Sequence, residues 1–205
     1  MSRKFDKRIH DIKTQNKDIH KLLLHSDAFA ETIANPVISK AFSESISLAV
    51  TQVNGCKLCS YTHAKNALKA GMSPEEVDNL LAGGFDNAPA EQLEALLFAQ
   101  HYADTKGNPD PITSQKLLEV YGEEKTKDIM SHILIIMIAN LHGNTIEAFK
   151  LRLKGNGVKE SSFWQELAVI LNFFKIAPVL LPKILLYKLR KKSRKGFTNP
   201  ELSGV

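Results

Sequence analysis

The sequence has few cysteines and almost no β-strand signal. Two cysteines in 205 residues exclude a disulfide scaffold, because such scaffolds carry more cysteines in a shorter secreted chain. Sustained alternation of apolar and polar residues is missing, and no Asn-Gly turn joins two β-rich runs, so an all-α fold is predicted. The charged start at residues 1–9 has no apolar stretch of a signal peptide behind it, so a cytoplasmic, reducing compartment is expected.

Acidic residues are also missing from one basic stretch near the end of the chain. Seven Lys and Arg side chains lie within residues 183–195, and subtracting them from the net charge of +5 leaves −2 for the rest. The basicity therefore belongs to the tail. It gives little reason to expect nucleic-acid binding by the body of the protein.

Helical periodicity and helix-boundary residues recur along the whole chain. A break is expected at Pro36, a strong helix start at Ser73, and interruptions at Pro178 and Pro182. The apolar run at residues 133–139 is interpreted as a buried helix. Helices are predicted over residues 3–25, 42–53, 55–71, 73–83, 91–106, 113–121, 123–152 and 161–174.

The two cysteines stand three residues apart, and a histidine follows one helical turn later. On a helix, positions three and four apart share a face, so Cys56, Cys59 and His63 form one stripe of two thiols and a base. This set is typical of thiol–disulfide chemistry. Glu44 lies upstream, on what is predicted to be the preceding helix, where it can hold the imidazole in its charged form.

The residues alone leave open which sulfur attacks. A thiolate is the nucleophile, and a free cysteine has a pKa of about 8.5, so activation is needed. If Asn54 is the N-cap of the second helix, Cys56 lies in the first turn, where the helix dipole favours an anion. His63, four residues after Cys59, favours Cys59 instead because it can accept that proton.

A zinc site is the main alternative use of these residues. Cys56, Cys59 and His63 would supply three ligands, with Glu44, His101 or His142 as a fourth. No second Cys/His cluster is present, so no metal or other cofactor is expected. The spacing does not fit c-type haem, because Ser60 stands where the axial histidine would follow the cysteine.

The combined motif resembles the alkylhydroperoxidase D-like branch of the carboxymuconolactone decarboxylase family. The resemblance runs from about residue 43 to residue 83 and fits more loosely to residue 154. It implies an all-helical bundle, with an N-terminal segment at residues 1–35, a core at residues 36–157 and a basic C-terminal extension at residues 158–205. The matching positions are Glu44, Leu48, Ala49, Val50, Asn54, Gly55, Cys56, Cys59, His63, Ala67 and Gly71.

The resemblance also implies roles. Cys59 attacks a peroxide, Cys56 resolves the sulfenic acid as a disulfide, and Glu44 and His63 relay protons. An external thiol or disulfide reductase supplies electrons, and the chain assembles into a trimer or hexamer. Some members carry a second relay histidine directly before the attacking cysteine, where this chain has Leu58.

The leading hypothesis is therefore a thiol-dependent peroxidase acting on alkyl or hydrogen peroxides. The alternatives are a thiol–disulfide oxidoreductase or redox sensor acting on protein partners, and a metal-binding helical module. For the apolar and basic residues 176–195, packing on a neighbouring subunit is favoured over contact with an anionic membrane surface. A membrane span is not expected, because Pro178, Pro182 and Lys183 interrupt the apolar stretch.

Overall fold

The computed structural model describes residue 5 and residues 7–197, with side chains described for residue 5 and residues 7–190. Every regular element in this part of the chain is helical, so the predicted all-α fold is confirmed. The helices are α1 Ile12–Leu24, α2 Ser26–Ala34, α3 Lys40–Asn54, α4 Lys57–Lys69, α5 Pro74–Ala82, α6 Leu93–Asp104, α7 Pro111–Leu153, α8 Phe163–Asn172 and α9 Ala177–Phe197, with short 3₁₀ turns at Ala90–Gln92 and Phe173–Lys175.

Helix α3 forms the centre of the bundle. It contacts α4, α5, α6 and α7, and most of its residues are buried, including Ile46, Leu48 and Val50. Helix α3 begins where the Ser39 hydroxyl accepts a hydrogen bond from the Phe42 N–H, which satisfies one of the free amides of its first turn. The core therefore surrounds the helix that carries Glu44.

Helix α7 consists of two helical stretches joined at Gly122. The backbone of Gly122 has φ 70°, a left-handed conformation that suits glycine because it lacks a Cβ. This break agrees with the separate helices predicted before and after residue 122. Residues 133–139 lie in the second stretch, where Ile133, Ile138 and Met137 are buried within the chain itself. That run is core, with only Ile135 and Ala139 partly buried.

The boundaries predicted near residue 3 and at Pro182 were wrong. Helix α1 begins at Ile12 rather than near residue 3, because Asp11 accepts the Thr14 N–H and fixes the helix start there. Helix α9 runs through Pro182 instead of stopping there. Pro178 lies in the first turn of α9, where the missing N–H has no intrahelical partner to lose.

By length and composition, two helical stretches in the described part of the chain could cross a membrane. These are Pro111–Leu153 and Phe163–Arg190. The first is mostly buried in the bundle, and the core helix of a soluble protein passes the same test. The second is mostly exposed. It packs on α2 through part of its surface, and Lys183 contacts Ser26 and Asp27 there.

Candidate active site

The two cysteines lie at the turn between α3 and α4. Helix α3 ends at Asn54, and Gly55 adopts a left-handed conformation with φ 72° that turns the chain into α4. Cys56 is the N-cap of α4, and its Sγ accepts a hydrogen bond from the Cys59 N–H at 3.4 Å. The prediction that Asn54 caps this helix was wrong, because Asn54 is still the last residue of α3. Both sulfurs therefore belong to the first turn of α4.

Cys56 and Cys59 are joined in a disulfide, with their Cα atoms 5.2 Å apart. Their environments differ. Cys56 is only 1% exposed, whereas Cys59 is partly exposed. A small molecule arriving from solvent meets Cys59 first, and Cys56 lies beneath it against the bundle.

Glu44 and His63 form the second pair of this region. The His63 Nδ1 lies 2.6 Å from the Glu44 Oε2, which joins α4 to α3 across the turn. Because a carboxylate accepts this hydrogen bond, Nδ1 carries the proton and Nε2 keeps a lone pair in the neutral ring. His63 lies one turn beyond Cys59 on α4, so its base can face the thiol stripe.

The Glu44 side chain is 2% exposed and has two cationic or polar partners. Lys40, one turn earlier on α3, forms an ion pair with the other carboxylate oxygen. Burial raises the pKa of the Glu44 carboxyl, but the hydrogen bonds and charges of His63 and Lys40 outweigh burial and hold the pKa below its usual value. Glu44 is therefore ionised at neutral pH and accepts the hydrogen bond of the His63 Nδ1–H.

Sequence reasoning missed Gly143 on α7. A Cβ at this position would lie 3.2 Å from the Cys56 Sγ and 3.7 Å from the Cys59 Sγ. The absence of a side chain lets α7 approach both sulfurs. The next residue, Asn144, donates through Nδ2 to the Asn54 carbonyl at 2.8 Å and holds the end of α3. The only signal in the sequence was an isolated glycine inside an otherwise regular helix.

The other candidate ligands have partners of their own. His101 pairs with Asp110 at 3.1 Å, and the His142 ring stacks on Phe173 with centroids 4.2 Å apart. Burial lowers the pKa of His142, and the charge of His10 lowers it further. Within the described residues, no group of three or more His, Cys, Asp or Glu side chains is placed to hold a metal ion. Leu58, next to Cys59, is 71% exposed and contributes no proton-transfer group.

Part of the chain is similar to known proteins. Residues 24–101 match the model of the carboxymuconolactone decarboxylase family. Through this segment the chain is similar to that family. Proteins named alkyl hydroperoxide reductase AhpD from two strains of Coxiella burnetii, Dugway 5J108-111 and RSA 493, are each 38% identical to it over 65 residues. These relatives indicate the alkylhydroperoxidase D-like branch of the family.

The match to these relatives is partial. It covers 32% of this chain and 37% of each relative. No solved structure matches the chain significantly. The family match begins at residue 24, so it includes the end of α1, α2, the cysteine turn and most of α6. Helices α8 and α9 lie outside it.

Proposed function

We propose that this protein is a thiol-dependent peroxidase that reduces alkyl or hydrogen peroxides. The observation that carries the proposal is the unequal burial of two linked sulfurs one helical turn from a histidine–glutamate pair. The printed name of the Coxiella burnetii relatives, alkyl hydroperoxide reductase, supports the same substrate class. Because the match covers only 37% of those relatives, the activity of the whole chain is a proposal.

In the proposed cycle the more exposed Cys59 attacks. His63 accepts the Cys59 proton through Nε2, and Glu44 stabilises the resulting imidazolium. The thiolate attacks the peroxide O–O bond and becomes a sulfenic acid, while the leaving alkoxide takes the proton from His63 and departs as an alcohol. The Cys56 thiol then attacks the Cys59 sulfur, forming the disulfide and releasing water. An external dithiol donor returns two electrons and two protons.

Cys59 is chosen as the attacking sulfur because peroxide can reach it from solvent and because His63 lies one helical turn away. Cys56 also has a stabilising contact, since its sulfur accepts the Cys59 N–H at the start of α4. It is nevertheless 1% exposed, so peroxide cannot reach it without displacing the residues above it. A buried resolving thiol and an accessible attacking thiol fit the order that the family resemblance implies.

Assembly into a trimer or hexamer is part of the proposal and rests on the family resemblance. The described chain exposes apolar side chains on α4, next to the cysteines, which a neighbouring subunit could cover. These are Leu58, Tyr61 and Leu68. We expect a mass of several chains by light scattering at micromolar concentration, and a monomer would contradict the assembly. A cytoplasmic location is likewise only a proposal.

Stopped-flow reaction of the fully reduced protein with an organic hydroperoxide tests the function. We expect rapid consumption of one peroxide per chain and an intact mass that matches the Cys56–Cys59 disulfide. Cys59→Ser should abolish the reaction. Cys56→Ser should react once and stop at a sulfenic acid that dimedone traps, since no resolving thiol remains. Lys57→Ala, an exposed neighbour, serves as the control.

Three outcomes would contradict the proposal. If Cys56→Ser abolishes the first step and Cys59→Ser preserves it, the two roles are reversed. If the reduced protein ignores peroxides but exchanges rapidly with protein disulfides, it is an oxidoreductase or redox sensor. About one zinc per chain, lost together with folding stability on chelation, would identify a metal-binding module instead.

A further inference from the structure

Helices α8 and α9 and the turn between them carry an exposed apolar face, which we call the C-terminal stripe. Within each helix its members recur every three, four or seven residues, so they lie on one side. Every member is more than half exposed. The C-terminal stripe comprises Trp164, Leu171, Phe174, Leu181, Leu185 and Leu189.

The opposite side of α9 packs against the protein. Leu180 is buried, Ile184 packs against the core, and the Lys183 ammonium contacts Ser26 and Asp27 of α2 at 2.8 and 2.9 Å. The helix thus uses one face for its own bundle and leaves the other face apolar and in water. Exposed apolar helix faces of this kind can mark an interaction site.

The chain segment that carries most of the stripe has charges of a single sign, and the acidic side chains near α9 belong to α2 and α7. No Asp or Glu occurs from residue 167 to residue 200, whereas eight Lys and Arg residues do. Helical phase places the exposed Lys188 at one edge of the face formed by Leu185 and Leu189, whereas Arg190 lies toward the side of α9 that faces α2 and α7. The basic run continues at Lys191, Lys192, Arg194 and Lys195, whose side chains lie outside the described ones.

We propose that the C-terminal stripe docks on an anionic lipid surface, with its apolar side chains in the interface and its cations among the headgroups. An apolar face with Trp, Phe and Leu, bordered by Lys and Arg, is the composition of helices that lie in the plane of a membrane. Each Lys or Arg near an anionic surface adds about fivefold to the affinity. The proposal is independent of the thiol chemistry.

Two other occupants fit the same face less well. A second copy of the chain would bring this patch against its own equivalent, and the two α9 helices, which carry Lys and Arg but no Asp or Glu, would repel each other. A membrane-spanning arrangement would pull α9 away from α2 and strip Lys183 of its contacts with Ser26 and Asp27.

The experiment uses the full chain and vesicles of phosphatidylcholine with or without phosphatidylglycerol. Trp164 is the only tryptophan in the sequence and belongs to the stripe, so its emission reports docking directly. We expect co-flotation and a blue shift of the emission with the anionic vesicles, weakened by salt. Leu185→Glu should lower the bound fraction about tenfold or more. It removes a Leu side chain that the lipid would bury and adds a negative charge that the anionic headgroups repel. Ile112→Glu, a 79% exposed site on α7, should change nothing.

Several outcomes would overturn the proposal. Unchanged Trp164 emission and no co-flotation with anionic vesicles would exclude lipid docking. Binding that is unaffected by Leu185→Glu would show that charge alone attracts the chain, as for a nucleic acid or any polyanion. Resistance of the bound protein to alkaline extraction would indicate a span. A drop in oligomer mass in Leu185→Glu, without vesicles, would show that a second copy covers the stripe.

Discussion

The α3–α4 region and the α7–α8 junction each bury a glutamate, and their partners differ. Glu44, 2% exposed, faces the imidazole of His63 and the ammonium of Lys40. Glu166, 0% exposed, accepts two hydrogen bonds from the Arg152 guanidinium at 2.9 Å and one from the Ser161 hydroxyl at 2.5 Å. Histidine can gain and lose a proton near neutral pH, whereas arginine stays charged.

The comparison teaches that a buried carboxylate does not by itself mark a reactive site. Where its partner can titrate, the pair can move a proton and belongs to the candidate active site. Where its partner is a guanidinium held by further bonds to the Val158 and Ser161 carbonyls, the pair fixes one helix to another. Arg152 thereby holds α8 in place, and α8 carries the start of the C-terminal stripe.

Replacing the titratable partner should have the largest effect. His63→Ala should slow the reaction of the reduced protein with peroxide by about 10²–10⁴-fold, the usual consequence of losing a proton-transfer group. Glu44→Gln should slow it less, because His63 remains. The measurement is the second-order rate constant by stopped flow. His101→Ala, which breaks an exposed pair with Asp110, is the control, and an equal loss there would contradict the assignment.

Replacing the arginine should affect stability and leave the chemistry intact. Arg152→Met leaves Glu166 buried without its cation, and breaking a buried pair in this way costs about 3–5 kcal/mol. Denaturant unfolding measures the loss, and the peroxide rate constant of the folded variant should match the wild type. Lys127→Met, which breaks an exposed pair with Glu123, should change stability little. A slower peroxide reaction in the folded Arg152→Met variant would contradict the assignment of a purely structural role to the Arg152–Glu166 pair.

Adding a methyl group above the sulfurs should have a smaller effect. In Gly143→Ala the new Cβ lies 3.2 Å from the Cys56 Sγ, so α7 or the disulfide must shift by a few tenths of an ångström. Reduced cysteines can rotate away, whereas a disulfide cannot. We expect the oxidised form to lose about 1 kcal/mol more stability than the reduced form. Equal changes in both forms, measured by unfolding with and without a reductant, would contradict this contact.

The Glu44 pair also predicts a pH dependence. The pKa of Glu44 is lower in the folded protein than its usual value of 4.5, so the unfolded chain binds its proton more readily. The stabilisation is fully present above pH 4.5 and is lost as the pH falls through the lower, folded pKa. The difference in unfolding free energy between wild type and Glu44→Gln should therefore shrink at acid pH. A difference that grows on acidification would reverse the sign of the assigned shift.

The smallest effect is expected from removing the tail. Deletion of residues 183–205, of which residues 198–205 lie outside the described part, should leave the peroxide rate constant unchanged. The deleted part is distant in sequence from the thiol motif, and the family match ends at residue 101. The same deletion should reduce binding to anionic vesicles. Loss of peroxide reaction in a folded truncated protein would make the tail part of the site.

Most of the helices were predictable, because their starts and ends carry local signals. The capping box of Ser73 and Glu76 and the left-handed Gly83 bound α5 through contacts within a few residues. The stripe of cysteines and histidine was predictable for the same reason, since helical spacing alone places it.

The features of the site that could not be predicted from the sequence depend on contacts between segments that are distant along the chain. The burial of Cys56 and the closeness of Gly143 require α7 to cross the α3–α4 turn, which no local pattern encodes. The start of α4 could not be placed from local signals either. Asn54 is a good N-cap residue, but in the structure it is the last residue of α3, and Cys56 caps α4. The division of residues into three segments at 35 and 157 remains a prediction.

The Cys56 sulfur has two functions at once: it caps the start of α4 and it is one half of the disulfide. The sulfur that accepts the Cys59 amide at the beginning of α4 is the same sulfur that bonds to the Cys59 side chain. Reduction of this pair therefore breaks a covalent bond at the same atom that caps the helix. We expect the amide resonance of Cys59 to report the oxidation state in an intact, isotope-labelled chain.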